Sequence, residues 1–517
     1  MGSGEGPALR WTGHALVDVG TAGLCAFAGR KTPGELTLED LDGASDFMES
    51  AYYGGALGTY LSCVFMNASF VQPAEGAAKK AAFIEQYVRA HRAPPQAKVA
   101  DLPCAFSGGP ATSAMVRTHL PLFSGEDVMN FRPNGETFVP VAGPFVVAIM
   151  FLPMASRRSE GGLLAVHADD PSLTLRFARR YLEDNRRLLQ LALPTTRAMT
   201  HAGFDREQPS WDATKKRYKF ADAKGPRSLV VHDLTTIAAE AMPNDARPRP
   251  TAVTAYLLSN SGQGPSLEIF QVPSGVVAFV AQASAAPTAA AWKAVSSRFW
   301  PLSGQDESAG EDSAASKKPA RKKKGDAPIP GRAGWTRNPA FEDLVAIYDA
   351  GFLDRGAAAR WLKRYVLGRS DRQKGSAYAD SGARSWVLAG LFLREVLGMK
   401  EGRIKAIRAF ADKLADWIHR KTDKRLYRGL LFAPHREVRG ALLRAHQQSA
   451  KEQLLFGLDE FRDVWLHDDG DQYLVRDLIC IRVVERLYEL GYFKQHPDEV
   501  PEAERPSEEE ATEEARA

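Results

Sequence analysis

IKAIRAFADKLADWI, residues 404–418, sets Ile404, Ile407, Leu414 and Ile418 on one helical face, with Lys405, Arg408 and Lys413 elsewhere around the turn. That spacing predicts a helix that buries one stripe against neighbours. Similar patterns recur at residues 341–348, 386–397 and 474–490, within a glycine-poor stretch from 335 to 496. Several amphipathic helices in succession predict an all-α bundle there.

Working outward, residues 303–334 pass from Ser, Ala, Gly, Asp and Glu into Lys317, Lys318, Arg321, Lys322, Lys323 and Lys324, then into Pro and Gly. With almost no large apolar side chains, this segment cannot repay its ordering entropy and is expected to be a flexible basic linker. Residues 497–517, rich in Glu and Pro, are expected to form a disordered acidic tail. Residues 1–302 mix patterns: helices are expected at 38–52, 77–92 and 173–193, and short buried strands at 138–151 and 276–281. The expected fold class is therefore α+β, an irregular mixed N-terminal domain joined by a flexible linker to an all-α helical bundle.

The chain has 517 residues, enough for two or three domains, and its 44% hydrophobic content suits globular folding. A net charge of +4 is too mild to define a partner, so the distribution of charge carries the information. Cys25, Cys63, Cys104 and Cys480 are widely spaced, with no Cys-x-x-Cys pair, which gives neither a disulfide framework nor a thiolate zinc site. The glycine-rich start lacks a secretory pattern, and the apolar run 145–154 is too short to span a bilayer. A cytoplasmic protein without membrane contact is the expectation.

Two clusters bring imidazole and carboxylates together as metal-assisted hydrolysis requires: His167 with Asp169 and Asp170, and His467 with Asp468, Asp469 and Asp471. Asp170 stands directly before Pro171 and Ser172, where an acidic side chain caps a following helix, so turn and capping roles are expected. There is no phosphate-binding loop, nucleophile elbow or His-Glu-x-x-His helix. Non-catalytic action without a cofactor is expected; a metal-dependent nuclease or phosphohydrolase is the alternative.

Positive charge is concentrated between Arg403 and Arg444, where twelve Lys or Arg face four Asp or Glu and Trp417, His419, Tyr427 and His435 lie interleaved. Such a face suits phosphate backbones. Arg403, Lys405, Arg408, Lys421, Lys424, Arg425 and Arg428 are the candidate contacts, and Lys215, Lys216, Arg217 and Lys219 form a second basic and aromatic segment that Arg227 extends. A solvated helix surface is the competing explanation of the first patch, and ring packing that of the second.

The N-terminal motifs narrow the field. WTGHALVDVG (11–20), LCAF (24–27), TLEDL (37–41), FMNASF (65–70), LPLF (120–123) and NFRPNG (130–135) occur in this order. Together they resemble the opening of the Cas-eight large subunits of type I-B and related CRISPR Cascades, in the Cst and Cmx branch. The resemblance is clearest through the first 155 residues; beyond them only the architecture matches.

It implies a protein that recognises the target-adjacent motif of double-stranded DNA, assists strand opening and binds the displaced strand. Implied partners are guide RNA, target duplex, Cascade backbone and guide-end subunits, and a recruited helicase-nuclease or transposition proteins. Duplex sensing falls by resemblance on Asn67, with Ser69 and Gln72 beside it, because an amide both donates and accepts at a base edge. An ordinary turn-stabilising role for Asn67 is the alternative at that position. A DNA-binding regulator outside any CRISPR system is the remaining alternative.

One departure concerns metal. Relatives in the family carry two Cys-x-x-Cys halves of a zinc knuckle where this chain reads Cys104-Ala-Phe-Ser107 and Ala142-Gly-Pro-Phe145. A structural zinc needs four converging ligands, so no metal is expected, with the knuckle's shape held by packing of residues such as Phe106 and Phe145.

Overall fold

The computed structural model describes residues 9–53, 57–66, 68–72, 75–122, 137–192, 210–212, 217–219, 225–240, 251–261, 264–298, 337–366, 386–431, 433, 435–450, 454–465, 472–496 and 499. The expected linker at 303–334 and the expected disordered tail at 497–517 lie outside them, except Glu499, which is buried and ordered by its contacts with Tyr427 and Arg428 rather than part of a disordered segment.

Helices α1 (Ala15–Ala28), α2 (Leu38–Tyr53), α3 (Gly58–Leu61) and α4 (Ala77–Phe83) precede strands β1 (Ser113–Met115) and β2 (Val139–Val141). Helix α5 (Gly143–Phe151), strands β3 (Arg157–Ser159) and β4 (Gly162–Ala168) and helix α6 (Pro171–Ala192) follow. Next come β5 (Ser210–Asp212), β6 (Arg217–Lys219), α7 (Pro226–Glu240), β7 (Val253–Ser261), β8 (Gly264–Val272), α8 (Ser274–Ala283) and α9 (Ala289–Arg298). The described elements beyond are all helical: α10 (Pro339–Ala346), α11 (Arg355–Trp361), α12 (Trp386–Glu395), α13 (Glu401–Lys421), α14 (Lys424–Leu431), α15 (His435–Ser449), α16 (Leu458–Trp465), α17 (Gln472–Glu489) and α18 (Tyr492–Gln495). The fold is α+β, with small antiparallel sheets and a helical C-terminal region.

The chain divides into two compact units, Met1–Ala281 with Ser296–Asp349, and Gln282–Val295 with Ala350–Ala517. The expected bundle begins at residue 335, but α10 belongs to the first unit, where it packs on α7. Polar contacts fix it there: Ser228 donates through its backbone N–H (3.0 Å) and its hydroxyl (2.5 Å) to Glu342, and Arg227 pairs with Asp349 at 2.6 Å. A periodicity argument finds the helix without finding its partner.

In the first unit, α1 is the central helix. His14 caps it, its Nδ1 accepting from the Val17 N–H, and the chain leaves through Gly29 at φ 70°. Helix α1 is buried against α5 and α6. At Gly20 a Cβ would stand 2.0 Å from the Ala148 carbonyl oxygen of α5, so the crossing needs glycine there. A motif residue of the sequence thus has a packing reason.

Two expected strands are corrected. Of residues 138–151 only 139–141 form a strand; residues 143–151 are the buried helix α5, with Pro144 in its first turn. A helix enclosed on every side is apolar all round and carries no period to distinguish it from a buried strand. Residues 276–281 likewise belong to α8, not to a strand. The four-stranded antiparallel sheet runs β3-β4-β7-β8, with Leu163 opposite Leu258 and Val166 opposite Ala255.

Asn260, buried near the end of β7, ties the sheet to the FMNASF region. Its backbone N–H donates to the Cys63 carbonyl (2.7 Å), and its amide donates to Val64 (2.9 Å) and Arg117 (3.2 Å) carbonyls. Within the second unit, α13 packs on α16 and α17 with Ile404, Ile407, Leu414 and Ile418 buried, as the spacing predicts. Phe410, Ala411 and Ala415 complete that face.

Candidate nucleic-acid interface

Helices α13 and α14 meet at a tight corner. Thr422 closes α13 in the left-handed region at φ 51°, and His419, Arg420 and Lys421 fill its last turn, where the helix dipole favours cations. Asp423 organises the corner from below: its carboxylate accepts from the Leu426 N–H at 3.0 Å, capping α14, and from the Trp417 indole N–H at 3.2 Å. Above the Trp417 ring lie the Arg420 guanidinium at 5.4 Å and the Lys421 ammonium at 5.7 Å. The interleaved aromatic is thus a largely buried support for two cations rather than a stacking surface.

The seven expected contacts in this region separate by environment. Arg408 and Arg425 are exposed and make no ion pair among the described residues. Lys421 is exposed beside Trp417, and Arg403 is half-buried in the first turn of α13. Lys405 is exposed but stands 3.8 Å from Glu401, one turn back. Lys424 and Arg428 share one counter-charge, the buried Glu499, at 3.2 and 2.9 Å. Burial alone would raise the Glu499 carboxyl, but those two cations hold it below its usual range.

The same neutralisation runs deeper into the unit. Arg482, almost fully buried, pairs with Asp412, Glu485 and Glu489, and Lys413 pairs with Glu460 at 2.8 Å. Sequence counting gives an excess of positive charge; among the described residues the structure leaves Arg408, Arg420 and Arg425 exposed and without an ion pair, with Lys421 beside Arg420 over the Trp417 ring. Arg420 escaped sequence reasoning, although its place in a basic run ending a long helix was the available signal.

In the second basic segment, Lys215 and Lys216 lie outside the described residues. Arg217 and Lys219 belong to β6, paired with Asp212 and Ser210 of β5. Arg227, which was expected to extend this patch, instead pairs with Asp349 and lies over the Phe270 ring.

In the first unit, Asn67 lies outside the described residues. Ser69 is buried, its hydroxyl bonded to the Tyr53 hydroxyl, and Gln72 is half-buried. Ser69 therefore stands where it holds the turn, with the neighbouring Phe70 ring packed among Tyr52, Tyr53, Phe65 and Phe83.

The acid–imidazole cluster does not converge. His167 Nε2 lies 3.4 Å from Asp18, whose carboxylate also accepts from the Thr12 N–H (2.8 Å), the Thr12 hydroxyl (2.7 Å) and the Gly13 N–H (2.9 Å). Burial pushes the Asp18 carboxyl up, but these donors outweigh it and hold the group low. Asp169 accepts from the Ala252 N–H, and Asp170 caps α6 by accepting from the Ser172 N–H and hydroxyl at 2.9 and 2.7 Å. Each acid has a structural partner of its own, and no group of three possible ligands converges among the described residues. The second cluster, 467–471, lies outside them.

The two knuckle-like stretches do come together. Residues 104–109 form a tight turn, with Gly108 at φ 72° and its N–H bonded to the Cys104 carbonyl at 2.9 Å. The Phe106 N–H points at the Cys104 sulfur (3.4 Å), and Ala105 donates to the Pro140 carbonyl at 2.9 Å. Phe106 packs on Phe145, ring centroids 6.2 Å apart, and on His14 at 5.3 Å. One thiol, a serine, an alanine and a phenylalanine do not make a zinc site.

No family model matches the chain, and no curated protein or solved structure does so either.

Proposed function

We propose that this chain is the large subunit of a guide-RNA-loaded CRISPR Cascade. In this account it recognises the motif beside a double-stranded DNA target, assists strand opening and binds the displaced strand, in antiviral defence or guided transposition. The observation that carries the proposal is the approach of residues 104–107 to 142–145. The resemblance makes these the two halves of one knuckle, and a turn with an N–H aimed at the surviving cysteine is what a knuckle without its metal leaves behind.

The chemistry divides between the units. In the second, Arg408, Arg425 and the Arg420–Lys421 corner offer positive charge to phosphates irrespective of base, which is the form of contact a displaced strand of any sequence needs. In the first, the Asn67–Gln72 segment senses the duplex motif, with Asn67 as the base-reading amide and Ser69 holding the turn. Base pairing with the guide reads the rest of the target. Cleavage or insertion falls to recruited machinery, so the chain itself needs no active site. Among the described residues no helix is long and apolar enough to cross a membrane, and a cytoplasmic location is part of the proposal.

The test is binding by the complete complex, reconstituted with guide RNA and backbone subunits, to duplexes that share a target but differ in the flanking motif. Motif-dependent binding that Asn67→Ala abolishes is the expected result. Indifference to the motif contradicts the proposal, and cleavage by the chain alone with a divalent metal would favour the nuclease alternative.

A further inference from the structure

Within the second unit, α14 and α15 pack on each other, and each carries a glycine, for different reasons. At Gly429 of α14 a Cβ would stand 2.5 Å from the Ala441 Cβ, so the close approach of the two helices requires glycine. At Gly440, exposed in the interior of α15, a Cβ would meet nothing within 4 Å. No packing among the described residues asks for glycine there, although glycine is the poorest helix former after proline. The rest of that face is built around the bare position. Val438, Ala441, Leu442 and Ala445 are buried and turn to the interior of the unit. On the opposite side Gly440, Leu443 and Gln447 follow at the i, i+3, i+7 spacing of one helical ridge, all exposed, Leu443 to 47%. Arg439 flanks this ridge on one side and Arg444 on the other. Both are exposed and, among the described residues, neither has a hydrogen bond, ion pair or ring contact. Glu437, in the first turn, is the one acid in the helix.

We propose that a single strand of nucleic acid lies along this face of α15, its backbone against Gly440 and its phosphates on Arg439 and Arg444. The proposal rests on the strand-binding role of the helical unit and deepens it, by giving the strand a surface where it meets the helix backbone directly. Three features select this ligand. Charge calls for an anion, since the two arginines have no acid between them in the sequence. They stand about 7.5 Å apart along the helix axis and on opposite flanks of the ridge, so they meet separate phosphates of one chain. Gln447 favours a nucleic acid over an acidic peptide: its amide both donates and accepts, as base edges and sugars require, whereas a carboxylate only accepts. Glycine between the two arginines removes the side chain that would hold the strand away from them.

The experiment titrates a fluorescein-labelled oligothymidylate with the full chain at three salt concentrations and reads anisotropy. Arg439→Ala with Arg444→Ala is expected to flatten the fall of log affinity with log salt by about 1.4, since each phosphate contact on a single strand contributes about 0.7, and the corresponding pair of lysines should restore it. Gly440→Leu separates binding from folding. Leucine is the better helix former and meets no clash, so the urea midpoint should hold or rise while affinity is lost. Unchanged affinity in Gly440→Leu overturns the proposal. If the arginine pair also matches the parent while Arg408→Ala with Arg425→Ala weakens binding, the α15 surface is wrong and the strand-binding role stands. If the unaltered chain binds no oligonucleotide at all, both fall. Labelled polyglutamate that binds as tightly, and is lost in the same variants, would make the face a site for acidic peptides and overturn the proposal as well.

Discussion

Replacing Glu499 by Gln should strengthen nucleic-acid binding. Glu499 is buried, and its carboxylate engages Lys424 at 3.2 Å and Arg428 through two nitrogens at 2.9 and 3.4 Å, while its backbone carbonyl accepts from the Tyr427 hydroxyl at 2.6 Å. Glutamine keeps the shape and the backbone contact and removes only the charge, so the fold should persist and two cations lose their internal partner. Each phosphate neutralised on a single strand contributes a slope of about 0.7 to the fall of log affinity with log salt, so two additional contacts steepen it by about 1.4. Between about 50 and 200 mM salt the variant should therefore lose roughly sevenfold more affinity than the parent chain, and bind more tightly at the low end. Arg408→Ala with Arg425→Ala should flatten the slope by about the same 1.4, for all sequences alike. Anisotropy titrations of the full chain with a single-stranded oligonucleotide at three salt concentrations measure both. An unchanged slope in Glu499→Gln would refute the reasoning, because it would mean that Lys424 and Arg428 do not face the ligand.

Three further outcomes follow from the first unit. His119 is stacked on Tyr87 with centroids 3.8 Å apart, and burial pushes its imidazole down to about 3. Between pH about 6.5 and 3 the unfolded chain takes up a proton that the folded chain refuses, so stability falls by about 1.4 kcal/mol per unit as pH drops, roughly 2.7 kcal/mol by pH 4.5. Urea unfolding of His119→Phe should lack that component, and parallel pH profiles for variant and parent would exclude it. Asp233 is fully buried and receives Arg157, Arg180 at 2.9 Å and the Tyr181 hydroxyl at 3.1 Å; Asp233→Ala should cost about 3–5 kcal/mol by leaving Arg157 buried without its acid, read as a lower urea midpoint. Elemental analysis of the purified chain should find no stoichiometric zinc and chelation should leave the melting temperature unchanged, whereas one zinc per chain would overturn the account of the 104–109 turn.

Amphipathic helices were legible in the sequence because one stripe packs on the interior of the unit while the opposite side is exposed, as in α2, α6 and α13. Helix α5 was not, since burial on all sides erases the period that separates helix from strand. The sheet formed by β4, β7 and β8 escaped as well. In β7 the inward Val253 and Ala255 alternate with half-buried neighbours, but Leu257 and Leu258 then place apolar side chains on both faces and blur the alternation. At the candidate interface the sequence located the basic region through its excess of Lys and Arg. It could not show which cations are already engaged, because Glu460 lies 47 residues from Lys413 and Glu499 lies 71 residues from Arg428. Convergence of residues 104–107 with 142–145 was visible only through the resemblance, since neither stretch carries a pattern that points at the other.

The most direct test of the central claim is the RNA that the protein carries. The tagged full chain, isolated from its own cells under gentle salt, should bring down Cascade subunits and RNAs of one length class that share a constant end and differ in their guide portions. Recovery of the chain alone, or with an unselected mixture of cellular RNA, would contradict the account.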